Sequence, residues 1–279
     1  MIDPVLKHQL IEFYKSGKPL IILTGAGASA ESGIPTFRGP EGYWKVGSVN
    51  YTPQEIGTFR MFQQNPWEVW KWYLFRRTVC QQSKPNPGHY AIAQMAQLMG
   101  DRFTLITQNV DGLHLRAGNS LEKTYLIHGS LEYVRCSVEC TDKLYPFPEN
   151  IGPKTRDSEI TEAEKEALIC PDCGALLRPH ILWFDEFYNE KHFKFKSSLE
   201  AAAEAELLIT IGTSGATTLP NHILDIFEQE RKFIIDVNIE PNLFSHTALH
   251  SPNGYFLQGP SGQILPEIRQ IFQQEASQS

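Results

Sequence analysis

The sequence predicts an α/β protein, a parallel sheet with helices on both faces, and three observations carry that reading. Short, branched apolar runs at residues 19–23, 103–107, 206–211, 232–237 and 254–258 read as buried strands. Helical patterns at residues 4–16, 87–100, 221–230 and 266–275 alternate with them, which favours parallel strands joined by crossovers. Polar motifs begin directly after four of the strands, on the sheet edge where such folds gather ligands.

The first helix places Leu6, Leu10, Ile11 and Tyr14 on one face. The strand after it runs into Gly25-Ala26-Gly27-Ala28-Ser29, a turn of small residues whose backbone N–H groups suit a pyrophosphate. The usual dinucleotide fingerprint continues through a helix to a second strand and an acidic residue that holds a ribose. Here Gly33-Ile34-Pro35-Thr36-Phe37-Arg38-Gly39 breaks the chain first, and a turn at residues 39–42 takes the carboxylate's place. Hydride transfer is disfavoured; NAD binding is not. The fold expected is therefore Rossmann-like.

Residues 40–85 read as a helical insertion rich in tryptophan, with no strand-like run after its first turn. Within it, 67–77 reads as a helix that puts Tyr73 and Arg76 on one face. The helix at 87–100 starts at a proline and ends at a glycine, as helix ends prefer. Residues 132–177 interrupt the alternation again and carry four of the five cysteines. Their middle, 150–166, is charged and reads as a surface loop or a short helix. The division expected is a sheet domain over 1–131 and 178–279 and a small metal-binding domain over 132–177.

With 279 residues and 41% hydrophobic content, the chain can bury one large core and a small appendage. A net charge of −7 argues against a nucleic-acid binder, which needs a basic footprint. No apolar stretch reaches the roughly 20 residues of a membrane span, and the first residues lack the pattern of a secretory signal. A monomer in the cytoplasm, without membrane contact, is expected. Cys136 and Cys140, with Cys170 and Cys173, form two close pairs suited to tetrahedral zinc in a reducing compartment. Four thiolates leave no open position for catalysis. Cys80 reads as a buried hydrophobe.

The run from Gly25 to Arg38 resembles the sirtuins, the NAD-dependent protein-lysine deacylases. The resemblance recurs at Thr107-Gln108-Asn109-Val110-Asp111, His128-Gly129, Gly212-Thr213-Ser214 and Asp236-Val237-Asn238-Ile239-Glu240, and spans residues 17–271. It implies that NAD and acylated-lysine proteins are the substrates and that His128, at the end of a short strand, is the general base. By resemblance, the acyl-lysine carbonyl oxygen attacks C1′ of the nicotinamide ribose and nicotinamide leaves. The ribose hydroxyl, deprotonated by His128, attacks the imidate, and water releases lysine and O-acyl-ADP-ribose. Asn109 and Asp111 would hold the carboxamide, beside Gln108. Phe37 would shield the ribose, and Ala26, Arg38, Ser214 and the glycine turn, with Thr36, Gly212 and Thr213, would serve the phosphates and their surroundings. Asn238, Glu240 and Ser261 would lie by the adenosine; Asn238 reads equally as a turn residue.

The peptide side is Arg178 to Glu186, where sirtuins pair an extended substrate between strands, with Ile181, Trp183, Phe184, Asp185 and Glu186 as contacts. Sirtuins commonly have glycine where Asp185 stands; its carboxylate either favours basic residues near the target lysine or faces solvent. The first cysteine pair encloses three residues where the family usually has two. Desuccinylase-type sirtuins carry Tyr-x-x-Arg at the place of Tyr73 and Arg76, where the guanidinium grips an acyl carboxylate. Against this stands a solvated helix end. The resemblance thus implies deacetylation with desuccinylation or demalonylation. A protein mono-ADP-ribosyltransferase on the same fold and a non-catalytic NAD-sensing scaffold are the competing readings.

Overall fold

Asp3 starts the first helix by accepting from the amides of Val5 and Leu6, with Pro4 pre-set at the first helical position. The structure, a computed structural model, describes residues 2–35, 44–46 and 49–278. Helix α1 (Pro4–Lys15) leads to strand β1 (Leu20–Thr24) and a 3-10 turn over Ala26–Ser32. A hairpin of β2 (Trp44–Val46) and β3 (Val49–Tyr51) precedes α2 (Pro53–Ile56), α3 (Phe59–Gln64) and α4 (Pro66–Gln82). Then come α5 (Pro87–Met99), β4 (Phe103–Thr107), α6 (Leu113–Arg116) and β5 (Thr124–Leu126). The cysteine-bearing part is β6 (Gly129–Cys136), β7 (Tyr145–Pro146), α7 (Glu162–Ala167) and β8 (Leu177–Ile181). Helices α8 (Glu190–Phe193) and α9 (Phe195–Glu204) lead to β9 (Leu207–Ile211) and α10 (Thr218–Gln229). The chain closes with β10 (Phe233–Asn238), α11 (Leu243–His250), β11 (Gly254–Gln258) and α12 (Ser261–Ala276).

Six strands form one parallel sheet in the order β11-β10-β9-β1-β4-β5. Successive side chains of a strand face opposite ways, and both faces are covered. Leu20, Ile22, Leu105 and Ile209 pack under α1, α5 and α12, while Ile21, Leu23, Ile106 and Leu208 pack under α9, α10 and α11. Burial on both faces explains why these strands read as continuous apolar runs. A third core joins the helices of the insertion to a separate antiparallel sheet, β7-β6-β8. Trp70, Tyr73, Val134, Phe147, Leu177 and Trp183 meet there. That sheet begins at Gly129 and runs through Ile181, so it reaches past residues 132–177 on both sides.

Three local expectations change, and that for residues 150–166 holds. The insertion holds the β2/β3 hairpin, which its tryptophan-rich composition hides. Helix α10 starts at Thr218 rather than residue 221. Helix α12 starts at Ser261 and carries Pro266 in its interior, because the burial of Leu265, Ile268 and Phe272 outweighs one missing backbone donor. Residues 150–166 are irregular as far as Thr161, whose capping box with Glu164 then starts α7.

Candidate active site

The order of the strands reverses at β1, which pairs in parallel with β4 on one side and β9 on the other. Chains leaving two such strands diverge and leave a crevice at their carboxyl ends. Here the two loops also interlock. The amides of Gly25 and Gly27 donate to the carbonyls of Ile211 and Gly212, each at 2.9 Å. A Cβ on Gly27 would sit 2.7 Å from the Gly212 Cα, and one on Gly212 (φ +57°) would sit 2.3 Å from the Ala28 nitrogen. At Gly25 and Gly27 the glycines therefore serve close approach of two loops. Their amides are turned inward, not left open toward a pyrophosphate.

Polar side chains from four strand ends converge beside this junction. Ser29 Oγ donates to Asp111 Oδ2 at 2.8 Å, and Asn109 Nδ2 donates to Ser29 Oγ at 3.1 Å and to the Gly25 carbonyl at 3.0 Å. Burial raises the Asp111 carboxyl, against the Leu113 amide and Ser29 hydroxyl that stabilise its charge. Gln108 donates through Nε2 to Thr213 Oγ1 at 2.9 Å and accepts through Oε1 from Thr217 Oγ1 at 2.9 Å. Asn238 Nδ2 ties β10 to the Thr213 carbonyl at 2.8 Å, with Ser214 half-buried beside it. Glu240 is exposed beyond that strand. Ser261 is buried at the start of α12, where it donates to Glu31 Oε1 at 2.9 Å. Thr36, Phe37 and Arg38 lie outside the described residues.

The group fits NAD on its own chemistry: a carboxamide can donate to the Asp111 carboxylate, and the Asn109 amide beside it carries both a donor and an acceptor group. Both line a small cavity with Ala26, Ser29, Ile34 and Arg76. Arg76 and Cys80 also line a neighbouring cavity of about 190 Å³ whose wall includes Phe75, Val79 and Arg156. Tyr73 does not line either cavity; it is buried between Trp72 and Trp183, with ring centroids at 4.6 and 6.5 Å. Cys80 is buried as expected, which raises its thiol to about 12.

His128 joins β5 to β6 and is half-buried. Its Nε2 lies 2.6 Å from the Tyr188 hydroxyl. Removal from water pulls the imidazole down to about 4, partly opposed by the Gln108 carbonyl. Tyr188 and Thr217 were not legible as site residues: a tyrosine after an aromatic segment and a threonine at a helix start carry no motif. Also unforeseen is a buried pair, His89 and His114, with ring centroids 4.7 Å apart beneath Ser29 and Thr24. Burial lowers His89 to about 4 and also pulls His114 well down.

The expected peptide contacts divide. Ile181 and Trp183 are buried in the third core, and the Arg178 guanidinium stacks 3.5 Å over the Trp183 ring. Glu186 pairs with Arg178 through both oxygens, at 2.5 and 2.7 Å, and accepts from the Trp183 amide. Asp185 is exposed, and its oxygens accept from the amides of Phe59 and Arg60 at 2.7 and 3.1 Å, which starts α3. Phe184 alone of the five has an exposed ring, and its amide donates to the Gly57 carbonyl.

The four cysteine sulfurs lie within 4.8 Å of one another. Cys136 and Cys173 are 3.6 Å apart, and Cys140 and Cys170 are 3.7 Å apart. Zinc–sulfur bonds of about 2.3 Å in a tetrahedron put sulfurs about 3.8 Å apart, so the donor set fits zinc. The extra residue in the first pair is absorbed by Glu139 in the left-handed region (φ 51°), held by Arg135. Gly174 (φ 78°) turns the second pair.

The Sir2 family model matches residues 25–218. An NAD-dependent protein deacylase of Leptospira interrogans is 38% identical over 250 residues, covering 89% of this chain and 91% of that protein. NAD-dependent protein deacylase 2 of Pyrobaculum aerophilum is 36% identical over 253 residues, covering 91% and 90%. The solved structure of a Sir2 homolog–NAD complex superposes with a TM-score of 0.79 at 32% identity, covering 96% of this chain and 94% of that one. The glycine junction, the polar crevice and the four-thiol cluster thus sit within a match spanning most of the sequence, and the chain belongs to the Sir2 family.

Proposed function

We propose that the protein is an NAD-dependent protein-lysine deacylase that removes acidic acyl groups, succinyl or malonyl, as well as acetyl. NAD-dependent deacylation follows from the family and from relatives of that name. The acidic-acyl preference rests on one observation: the Arg76 side chain lies on the wall shared by the Asn109–Asp111 crevice and the larger cavity. A guanidinium there can pair bidentately with a carboxylate at the end of an acyl chain. Tyr73 then supports the helix from behind through Trp72 and Trp183.

When bound, NAD supplies the ribose carbon that accepts the acyl oxygen, with nicotinamide as leaving group. Asn109 and Asp111 orient the carboxamide, and Ser29 holds both side chains in place. His128, kept neutral by its partly dry setting, is the base that takes the ribose hydroxyl proton. Residues Gly25, Ala26, Gly27, Thr36, Phe37, Arg38, Gln108, Gly212, Thr213, Ser214, Asn238, Glu240 and Ser261 are assigned to the nucleotide. Ile181, Trp183, Phe184, Asp185 and Glu186 shape the peptide side, with only Phe184 offering its ring. Zinc held by the four cysteines has a closed shell and a structural role. We further read the protein as a cytoplasmic monomer that acts on acylated proteins and binds neither nucleic acid nor membrane. The net charge of −7 speaks against nucleic acid, and no helix among the described residues is long and apolar enough to cross a membrane.

Mass spectrometry of one peptide carrying acetyl-lysine or succinyl-lysine, incubated with NAD, tests the proposal. Arg76→Met should lower kcat/KM for desuccinylation at least about tenfold more than for deacetylation, the worth of a charge-assisted pair. Equal losses on both peptides would assign Arg76 to the scaffold. ADP-ribose left on protein with no acyl loss would replace deacylation by ADP-ribosyl transfer.

A further inference from the structure

Tyr188 is held from both sides. Two residues before it Glu186 is locked by Arg178, and the next residue, Asn189, caps α8 by accepting from the His192 amide at 2.8 Å. Phe187 points outward at 89% exposure, so the chain turns the following ring inward, against Phe195 at 6.2 Å. The phenol oxygen then meets His128 Nε2 at 2.6 Å, with the Thr217 hydroxyl beside it. Thr217 continues the contact to Gln108, and Gln108 to Thr213 and the Thr24 carbonyl.

We propose that Tyr188 is a positioning residue for His128: its hydroxyl donates to Nε2 and fixes the imidazole as the Nδ1–H tautomer. The inference rests on the reading of His128 as the general base. A neutral imidazole has one donor and one acceptor nitrogen. The Gln108 carbonyl, which can only accept, bears on the ring while Nε2 is taken by Tyr188. Nδ1 therefore carries the proton, and Nε2 keeps its lone pair, held by the Tyr188 hydroxyl until the ribose hydroxyl takes that place. Burial keeps the phenol protonated, its ionisation pushed up to about 12, so it has a proton to donate. No charged side chain contributes to the displacement of either group; both arise from burial, opposed by Gln108 at His128 and Thr217 at Tyr188. His222 is the imidazole facing this cluster from α10, and the Phe195 ring stands between it and Tyr188.

A donor to the neutral ring favours the neutral form and lowers its pKa. Tyr188→Phe keeps the ring packing and removes that donor. Nitrogen-15 NMR of labelled histidines should therefore show the His128 titration midpoint moving up by about half to one unit. The acid limb of kcat/KM for the acyl-peptide should move up with it, since that profile reports the free enzyme, while KM for NAD stays within about twofold. An unmoved His128 midpoint in folded Tyr188→Phe overturns the inference. The wild-type spectrum alone is a second test, whatever the variant's folding: Nδ1–H supports the assignment and Nε2–H overturns it. His128→Ala separates the two readings. Activity retained there defeats the base assignment, whereas an inactive His128→Ala with an unmoved midpoint in Tyr188→Phe defeats only the role of Tyr188.

Discussion

The six-stranded sheet and the smaller body around β6 and β8 are held together by different means. Each face of the sheet is a continuous aliphatic layer shared by three helices, so any one side chain is a small part of the whole. The smaller body has a three-stranded sheet, one strand of which is two residues long. It adds discrete polar devices: four clustered thiols, the buried Arg178 with Glu186, and the Asp185 carboxylate on α3. A few well-placed groups substitute there for the area that a small core lacks. His128 sits where β5 of one body gives way to β6 of the other, so damage to the smaller body reaches the active site.

The largest effect should come from the metal. Four tryptophans of the chain are buried in the third core and Trp67 packs against it, which accounts for all five. Tryptophan emission is thus a probe of that core alone. Replacing Cys170 and Cys173 with serine should redden the emission and abolish deacylation while far-UV circular dichroism keeps much of its helical signal; structural zinc is worth about 10 kcal/mol in small modules. Unchanged emission and melting temperature in a soluble double variant would remove zinc from the account. Glu186→Ala comes next. It leaves Arg178, 2% exposed, without its bidentate carboxylate, and breaking a buried pair costs about 3–5 kcal/mol. The loss should appear as a lowered melting temperature with reddened tryptophan emission. A purely catalytic defect at full stability would return Glu186 to the substrate.

The same division decides what was legible in the sequence. Strands 103–107 and 254–258 match to the residue; in the first, burial on both faces writes an apolar run that needs no partner to be read. The four cysteines were equally readable, since metal geometry constrains spacing. Of the crevice, Ser29, Asn109 and Asp111 could be placed because they follow strand ends, but not their mutual hydrogen bonds. Resemblance places Trp183, Asp185 and Glu186 on the peptide, whereas in the structure Trp183 is buried, Glu186 pairs with Arg178 and the exposed Asp185 is engaged by two amides of α3. Their partners, Phe59, Arg60 and Arg178, come from an insertion and a neighbouring strand that no local pattern links to them. Tyr188 was missed for the same reason: its meaning lies in a ring 60 residues away.

Asp185 gives the smallest and most selective test of the comparison. As a group that starts α3, it supplies two acceptors and a negative charge at a helix N-terminus. Asp185→Asn keeps one acceptor and loses the charge, so stability should fall by about 1 kcal/mol, the usual worth of a cap. That corresponds to roughly 2–4 °C in melting temperature for a chain of this size. Peptides with arginine or neutral residues beside the acyl-lysine should then keep the same ratio of kcat/KM in the variant as in the parent, because the carboxylate is engaged by backbone amides. A ratio that changes while the melting temperature stays fixed would turn Asp185 toward the peptide. The smaller body would then be reading its substrate with a side chain now assigned to its own construction.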